Sequence, residues 1–375
     1  MTYLDNAATT FPKPECVYKE MDDISRNYAV NAGRGSYKAA QKAIKVIDDT
    51  RAALLKLFNA EGVADVVFTS SVTQAVNIVL AGLGLKESSI VYISPYEHNA
   101  VVRTLYMLQK EIGFIVKEMP LTKELEIDLG RLEFEFAQNH PSVVVSTAVS
   151  NVTGYVLPIR DIFQRAKKYD AVTITDAAQA AGLIKMDVRE LQADILCFAG
   201  HKTLYGPFGI AGFVMKKGMG LKQTFAGGTG SHSLSPEMPQ KAPERYEAGS
   251  YNIIAMKGLY AALDALKQDE HYRKIKELTV YAVSCLEDVP GIKILGKTND
   301  QLGIISIIAE DFSSDEVGRI LDEEYDIAVR TGYHCAPFIH KYLHDEEYNG
   351  TVRIGIGYYN TEEDIELLVK ALCEL

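Results

Sequence analysis

A lysine in a glycine-rich turn has the setting in this sequence that most directly suggests covalent chemistry. Lys202 lies in CFAGHKTLYGPFGIAG, residues 197–212, directly after an apolar run that is typical of a buried strand. Burial and nearby charge lower the pKa of a lysine and leave a free amine that can attack a carbonyl group. The alternative is a solvated loop lysine, and this window alone does not decide between the two.

An aspartate at the end of another apolar run adds a second reactive group. Asp176 lies in TITDAAQAAG, residues 173–182, and Gln179 follows three positions later. A buried carboxylate is costly unless it is paired. The protonated ring nitrogen of pyridoxal phosphate would supply such a partner and would make the ring a better electron sink. The alternative is a helix N-cap aspartate, which is common.

Other polar residues follow further apolar runs, where a cofactor phosphate and ring could bind. FTSSVTQAVNIV, residues 68–79, places Thr73 at a predicted helix N-terminus, which is a typical phosphate site. His98 in YEHNAVV could lie on a cofactor ring, and Asn151 in AVSNVTG could bond to a ring oxygen. A capped loop, a core histidine or a loop asparagine explains each residue singly, but not their shared position at strand ends.

Cys335, in VRTGYHCAP at residues 329–337, has several possible roles. A core thiol and a nucleophile both remain open from the local sequence. The five cysteines are far apart and form no CxxC, so a disulfide framework is not expected in an intracellular chain. His340 and His344 have the spacing of one helical face, but no second Cys/His pair completes a familiar zinc site. We therefore predict no metal site.

The elements that must position these residues alternate between β-rich and amphipathic segments. Apolar runs typical of strands buried on both faces occur at residues 66–70, 90–94, 114–119, 142–150, 171–176, 193–200 and 209–215. Helical patterns lie between them, at residues 73–83, 98–112 and 159–169. This alternation predicts an α/β domain with a mixed, mostly parallel sheet and helices on both faces.

The alternation of β-rich and helical segments ends at about residue 255. A helix-rich stretch leads to a smaller α+β region with predicted strands at residues 303–309 and 351–357. We expect a large domain at residues 15–255 and a small domain formed by residues 1–14 and 256–375. The loop-rich span at residues 227–250 is long for a compact domain, and such loops are often functional.

Taken together, the motifs resemble fold-type I pyridoxal-phosphate enzymes of the class V aminotransferase group, specifically cysteine desulfurases and selenocysteine lyases. The resemblance covers nearly the whole chain. It rests on YLDNAATTFPKP, SSVTQAVN, EHNA, VSNVTG, TDAAQAAG, AGHKTLYGP, EAGSYN, RTGYHCAP and VRIGIGYYNTEED. The short setting of the cysteine resembles the type with a compact catalytic loop.

The resemblance implies roles around the cofactor ring. Lys202 would hold pyridoxal phosphate covalently and serve in catalysis, and His98 would stack on the ring. Asp176 would pair with the ring nitrogen. Gln179 and Asn151 would bond to the phenolic oxygen, and Asn151 would also contact the substrate.

It also implies roles for the phosphate and the substrate. Thr73 and His201 would bind phosphate, together with a hydroxyl from Ser250 that comes from the partner subunit in this family. Arg353 would bind the substrate carboxylate bidentately, which suits guanidinium geometry. Cys335 would be the nucleophile, and the histidine before it would either assist the thiol or position the loop.

Some positions depart from the family pattern. Ala199 stands where a serine is usual, Val72 where a hydroxyl residue is usual, and Tyr333 where histidine is frequent. The lysine, aspartate, arginine and cysteine remain, so these departures indicate a divergent subgroup.

The expected activity is conversion of L-cysteine to L-alanine, with a persulfide on Cys335 that passes to an acceptor protein. The alternatives are a selenocysteine lyase, or an aminotransferase or β-eliminating enzyme that does not need Cys335. The resemblance implies a homodimer. The net charge of −11 argues against a nucleic-acid partner. The sequence displays no signal peptide and no membrane span, so we expect a cytoplasmic protein.

Overall fold

The structure is a computed structural model that describes residues 1–33, 35–231 and 234–375. Its strands are β1 (Thr2–Tyr3), β2 (Ala64–Thr69), β3 (Ile90–Ile93), β4 (Ile115–Glu118), β5 (Val143–Thr147), β6 (Val172–Asp176), β7 (Ile195–Ala199), β8 (Ala211–Lys216), β9 (Ile292–Leu295), β10 (Ile304–Ala309), β11 (Ile327–Ala328), β12 (Arg330–Gly332) and β13 (Thr351–Gly355).

Helices separate most of these strands, as the sequence pattern predicts. They are α1 (Glu15–Asn27), α2 (Lys38–Leu57), α3 (Val72–Gly82), α4 (Asn99–Ile112), α5 (Leu129–Gln138), α6 (Ile159–Lys167), α7 (Val188–Leu191), α8 (Ile253–Ala265), α9 (Gln268–Glu287), α10 (Ser314–Tyr325), α11 (His340–Leu343) and α12 (Glu362–Cys373). A 3₁₀ turn at Glu346–Tyr348 precedes β13.

The central sheet has seven strands in the order β2-β8-β7-β6-β5-β3-β4. Neighbouring strands from β3 to β7 are parallel, whereas β8 is antiparallel to both β2 and β7. All strands of this sheet except β8 therefore end at the same edge. Connecting loops at that edge can bring residues from distant parts of the chain together.

Both faces of the central sheet are buried. Val144 of β5 packs in one apolar cluster with Phe163 of α6, whereas its neighbours Val143 and Val145 pack in another with Leu105 of α4. Adjacent strand residues point to opposite faces, so a strand covered on both sides must be apolar throughout. The predicted α/β fold, with a mixed and mostly parallel sheet between helices, is confirmed.

A smaller antiparallel sheet in the order β12-β13-β10-β9 forms from the last third of the chain. The N-terminal residues join this part of the molecule, because β1 pairs in parallel with β11. Leu4 is fully buried in one cluster with Ile305 of β10 and Leu368 of α12. The first residues and the last third of the chain thus share a core.

The domain boundary at residue 255 stays a prediction. Helix α8 begins at Ile253, just before that boundary, and packs against α1 and α2. In the long span at 227–250, the described residues 227–231 and 234–250 form neither helix nor strand. No helix in the described part of the chain is long and apolar enough to cross a membrane.

Two phenylalanines of α5 provide a matched test of core packing. Phe136 is fully buried, with its ring centroid 4.8 Å from that of Tyr92 on β3, whereas Phe134 is 66% exposed. We expect Phe136→Ala to lower the free energy of unfolding by about 3–5 kcal/mol, because it removes a buried ring and leaves a cavity. Phe134→Ala should change it by less than about 0.5 kcal/mol. Urea denaturation measures both, and equal effects would contradict the predicted packing.

Candidate active site

A cleft of about 240 Å³ opens at the carboxyl edge of the central sheet. All predicted site residues except Ser250 line it: Thr73, His98, Asn151, Asp176, Gln179, His201, Lys202, Cys335 and Arg353. They lie at or beyond the carboxyl ends of β2, β3, β5, β6 and β7, and on the smaller sheet and the loop after β12. The edge where parallel strands end thus collects these groups from positions far apart in the sequence.

Lys202 follows β7 in a tight turn. The amide of Gly200 donates to the carbonyl of Ile210 at 3.0 Å, and the amide of Gly206 donates to the carbonyl of Gly200 at 2.7 Å. A Cβ atom at Gly200 would lie 2.6 Å from the Ile210 oxygen, so no larger residue fits without a shift. The turn therefore requires glycine at this position and directs the chain back into the cleft.

The electrostatics of the cleft lower the pKa of Lys202. Burial is the main cause that lowers the pKa of Lys202, from 10.5 to about 8. The Asp176 carboxylate acts in the opposite direction. The charges of Arg353 and Arg330 lower the pKa of Lys202 further. The ammonium form still predominates at neutral pH, but the neutral amine that attacks a carbonyl is far more populated than in a lysine with the ordinary pKa.

Asp176 and Gln179 lie at the end of β6 and just beyond it. The amide of Ala178 donates to Asp176 Oδ1 at 2.9 Å. Burial raises the pKa of Asp176, while this hydrogen bond and the charge of Lys202 act in the other direction. Gln179 Nε2 donates to the carbonyl of Ala7 at 2.7 Å, which ties the N-terminal segment to the cleft. The same amide carries a second hydrogen that a ligand oxygen can accept.

His98 caps helix α4 with its ring. Its Nδ1 accepts a hydrogen bond from the amide of Ala100 at 3.0 Å, so Nε2 carries the hydrogen of the neutral ring. Burial, followed by the charges of Lys202 and Arg353, lowers the pKa of His98 to about 4. The ring is therefore neutral at physiological pH and can lie against a flat, uncharged part of a ligand.

The start of α3 provides donors for an anion. Ser71 caps the helix by accepting from the amide of Gln74 at 3.2 Å, and Thr73 in the first turn lines the cleft. The His201 ring stacks on Phe208 with centroids 4.6 Å apart. Its buried Nδ1 has no partner among the described residues, and burial lowers the pKa of His201 to about 4. Helix amides, a hydroxyl and this ring nitrogen suit a phosphate.

Arg353 of β13 is buried, and two of its nitrogens are bonded inside the chain. Nη1 donates to the carbonyl of Asn151 at 3.0 Å, and Nη2 donates to Asp5 Oδ1 at 2.9 Å. Its Nε is buried without a partner among the described residues. Arg330 contacts the other oxygen of Asp5 at 3.2 Å and also lines the cleft. No role was predicted for Asp5 or Arg330 from the sequence, although they lie in the motifs YLDNAATTFPKP and RTGYHCAP.

The loop that carries Cys335 is held in a strained conformation. His334 and Cys335 both have positive φ, 45° and 59°, in the left-handed region that favours glycine. The carbonyl of Cys335 accepts from the amide of Asn99 at 2.6 Å, and that of His334 accepts from Asn151 Nδ2 at 2.6 Å. The side chain of Cys335 is exposed. The thiol thus faces the cleft, while hydrogen bonds from Asn99 and Asn151 hold the backbone of the loop.

His334 supports this loop. Its Nε2 lies 2.8 Å from the hydroxyl of Thr351 on β13, and the ring is buried. Burial is the main cause that lowers the pKa of His334 to about 2, so the ring is neutral. These contacts favour the positioning role over direct assistance to the thiol.

Ser250 lies apart from the other predicted residues. It lines a second cavity of about 230 Å³, together with Ser70, Gln74 and Glu247. Its hydroxyl lies 3.4 Å from Asn31 Nδ2. One chain alone therefore does not bring Ser250 into the cleft that contains Lys202.

A buried carboxyl group in the loop after β3 was not predicted from the sequence. Glu97 is fully buried, and one of its oxygens accepts from Ser94 Oγ at 2.5 Å and from the amide of Thr147 at 2.6 Å. Burial raises the pKa of Glu97 to about 8, so the group is mostly protonated at neutral pH. Glu97 lies four positions beyond β3, and no local pattern in the sequence marks it as buried.

His340 and His344 do not share a helical face. Helix α11 ends at Leu343, and His344 adopts a φ of 53° beyond it. His340 Nδ1 lies 2.6 Å from Asp345 Oδ2. Among the residues that the structure describes, no group of three or more His, Cys, Asp or Glu side chains could hold a metal ion.

Comparison with known proteins places the chain in a family. Residues 2–368 match the sequence model of the family described as aminotransferase class-V. A protein of Methanothermobacter thermautotrophicus named "Probable cysteine desulfurase" is 32% identical over 383 aligned positions, which cover 100% of this chain and 94% of the relative.

Solved structures agree with this placement. The apo structure of a cysteine desulfurase from Thermococcus onnurineus NA1 aligns with a TM-score of 0.91 and 27% identity, over 99% of this chain and 94% of the other. The cysteine desulfurase CsdA of Escherichia coli aligns with a TM-score of 0.85 and 28% identity, over 100% of this chain and 94% of the other. With the cleft and its residues in place, these matches show that the chain belongs to the class V aminotransferase family.

Proposed function

We propose that the protein is a pyridoxal-phosphate-dependent cysteine desulfurase that converts L-cysteine to L-alanine and leaves the sulfur on Cys335 as a persulfide. The observation that carries this proposal is that Lys202, Arg353 and the exposed thiol of Cys335 line one cleft. A cleft with an amine, a guanidinium and a thiol can bind an amino acid and attack its side chain.

The residues of the cleft fit pyridoxal phosphate. Lys202 would hold it covalently, Asp176 would face the ring nitrogen, and His98 would lie against the ring. When bound, the cofactor supplies an electron sink for a carbanion at the substrate Cα. Gln179 and Asn151 have amide hydrogens for the phenolic oxygen.

The phosphate end of the cofactor has donors of its own. Thr73, the first amides of α3 and the unpartnered Nδ1 of His201 supply them within the chain. Ser250 would add a hydroxyl from a partner subunit, which supports a homodimer. The alanine at position 199 does not remove these donors.

Lys202 also serves as the base at the substrate Cα. Its pKa of about 8 lies close to neutral pH, so the amine can accept the Cα proton and return a proton later. Arg353 would orient the substrate through its carboxylate. The unpartnered Nε and the Nη2 now bonded to Asp5 form the fork for bidentate contact.

Cys335 would take the sulfur. As a thiolate it attacks the substrate sulfur, and an S–S bond forms while the substrate Cβ–S bond breaks. The electron pair of the broken bond is protonated at Cβ, which yields alanine. The products are alanine and Cys335 with one added sulfur, so the reaction needs no external oxidant.

The exposed side of Cys335 fits transfer to an acceptor. The residue also lines an open outer groove with Arg103, Tyr333 and Lys341. A thiol of an acceptor protein could reach the persulfide from this groove without entering the cofactor cleft. The cytoplasmic location stays a prediction from the sequence.

Replacement of Cys335 separates this function from its rivals. In Cys335→Ala we expect alanine and sulfide release from L-cysteine to fall at least about 100-fold, because the nucleophile is absent. Exchange of the substrate Cα hydrogen in D₂O should persist, since Lys202 performs it. Cys373→Ala, which removes an exposed cysteine on α12, is the matched control and should leave activity unchanged.

Full activity of Cys335→Ala with L-cysteine would instead favour an aminotransferase or a β-eliminating enzyme. A wild-type protein that releases selenium from selenocysteine but no sulfide from cysteine would favour a selenocysteine lyase.

The pH dependence of Lys202 tests the electrostatics of the cleft. In protein stripped of cofactor, the rate of aldehyde attachment to Lys202 should rise with pH and reach half its plateau at about pH 8, because only the neutral amine reacts. Asp176→Asn should lower this midpoint, since it removes the charge that favours the ammonium form. The exposed Asp170→Asn is the control. A midpoint near 10.5, the ordinary value, would contradict the predicted burial.

Arg353→Lys tests carboxylate binding. Lysine keeps the charge but loses the planar fork, so we expect KM for L-cysteine to rise about tenfold or more while the visible absorbance of the bound cofactor is retained. Arg319→Lys, at an exposed position on α10, is the matched control. An unchanged KM in the Arg353 variant would place the substrate carboxylate elsewhere.

A further inference from the structure

Three consecutive backbone carbonyls of the Cys335 loop are each held by a donor from a different element. The bonds are His340 Nε2 to the carbonyl of Tyr333 at 3.0 Å, Asn151 Nδ2 to that of His334 at 2.6 Å, and the amide of Asn99 to that of Cys335 at 2.6 Å. Asn151 lines the cofactor cleft, and Asn99 is the first residue of α4. His340 has no part in the proposed function so far.

The loop needs such support because its conformation is unfavourable by itself. His334 and Cys335 are consecutive, neither is glycine, and both occupy the left-handed region, which persists for such residues only where surrounding contacts hold it. The position of the thiol follows directly from these backbone angles. A shift of about 1 Å in a reacting atom can slow a reaction about 100-fold.

The orientation of His340 is fixed from both sides. A backbone carbonyl only accepts hydrogen bonds, so Nε2 must carry the hydrogen that it donates to Tyr333. On the other side of the ring, Nδ1 lies 2.6 Å from Asp345 Oδ2, within hydrogen-bond distance. Both side chains are buried, with 5% and 0% exposure. This pair therefore locks the ring with Nε2 directed at the loop.

Asp345 is in turn anchored to the strand that carries Arg353. Its carbonyl accepts from the amide of Gly350 at 3.0 Å, and β13 begins at the next residue. Gly350 has a φ of 88°, and a Cβ atom there would lie 2.5 Å from the carbonyl group of Gly332. The backbone of Gly332 and Gly350 is therefore in close contact. Within the segment between them, the His340–Asp345 pair links the Cys335 loop to the start of β13.

We propose that His340, oriented by Asp345, is a positioning residue for sulfur transfer, which holds the Tyr333 carbonyl so that the thiol of Cys335 meets the substrate sulfur. This inference rests on the proposed desulfurase function. It separates two steps: removal of the Cα proton by Lys202 does not depend on His340, whereas attack by Cys335 does.

The test compares these two steps in the cofactor-loaded enzyme. In His340→Phe, alanine formation at saturating L-cysteine should fall at least about tenfold, because the thiol is misplaced. Exchange of the substrate Cα hydrogen should stay within about twofold of the wild type, because Lys202 acts before sulfur transfer. Unchanged alanine formation, or a parallel fall in both rates, would overturn the proposal.

Two further variants guard against a folding defect. His340→Gln keeps an N–H donor in reach of Tyr333 and should retain at least about a third of wild-type alanine formation. His344→Asn removes the neighbouring exposed histidine at a position that asparagine tolerates, and it should behave as wild type. Equal losses in His340→Gln and His340→Phe would show that the bond to Tyr333 is not the cause.

A different result would show that the proposed desulfurase function is wrong. A wild-type enzyme that forms no alanine from L-cysteine would contradict the function itself. The positioning role would then be measured by the rate at which iodoacetamide alkylates Cys335, read by peptide mass spectrometry. We expect this rate to change more than about twofold in His340→Phe and not in His344→Asn, because exposure of the thiol depends on the loop.

Discussion

Burial of the Lys202 amine is the constraint on which the rest of the site depends. A charged ammonium loses solvation in the cleft, and this loss brings the pKa of Lys202 down to about 8. Asp176 opposes the shift and prevents it from becoming larger. The amine lies in the cleft beyond the ends of β6 and β7, where residues from both sheets surround it. A solvated sheet edge would leave an ordinary, protonated lysine.

The chemistry is divided between two parts of the fold. The central sheet supplies the amine and the carboxylate for the cofactor, whereas the smaller sheet supplies Arg353 and the loop with Cys335. The N-terminal segment joins the two parts: Asp5 contacts Arg353 and Arg330 of the smaller sheet, and the carbonyl of Ala7 accepts from Gln179 just beyond β6. The distance between the substrate Cα and the thiol therefore depends on how these two sheets pack.

The departures from the family pattern leave this arrangement in place. Tyr333, where histidine is frequent, is 43% exposed, and its ring meets that of His340 edge to face at 5.1 Å. The carbonyl of Tyr333, and not its side chain, makes the contact that supports the loop. Ala199 is buried at the end of β7, and His201 nearby still has an unpartnered nitrogen for a phosphate. The substituted side chains at positions 199 and 333 thus leave the backbone contacts of the site unchanged.

The sequence alone predicts the seven strands of the central sheet, the helices α3, α4 and α6 between them, and most residues of the cleft. These features depend on local patterns: apolar runs, helical periodicity and polar residues at the ends of runs. Tertiary structure decided the antiparallel placement of β8, the buried state of Glu97 and the separation of Ser250 from the cleft. It also decided that Asp5 bonds to Arg353, 348 positions away, and that His340 holds the Cys335 loop. Contacts between distant residues depend on how sheets and loops pack together, and no local pattern in the sequence records that packing.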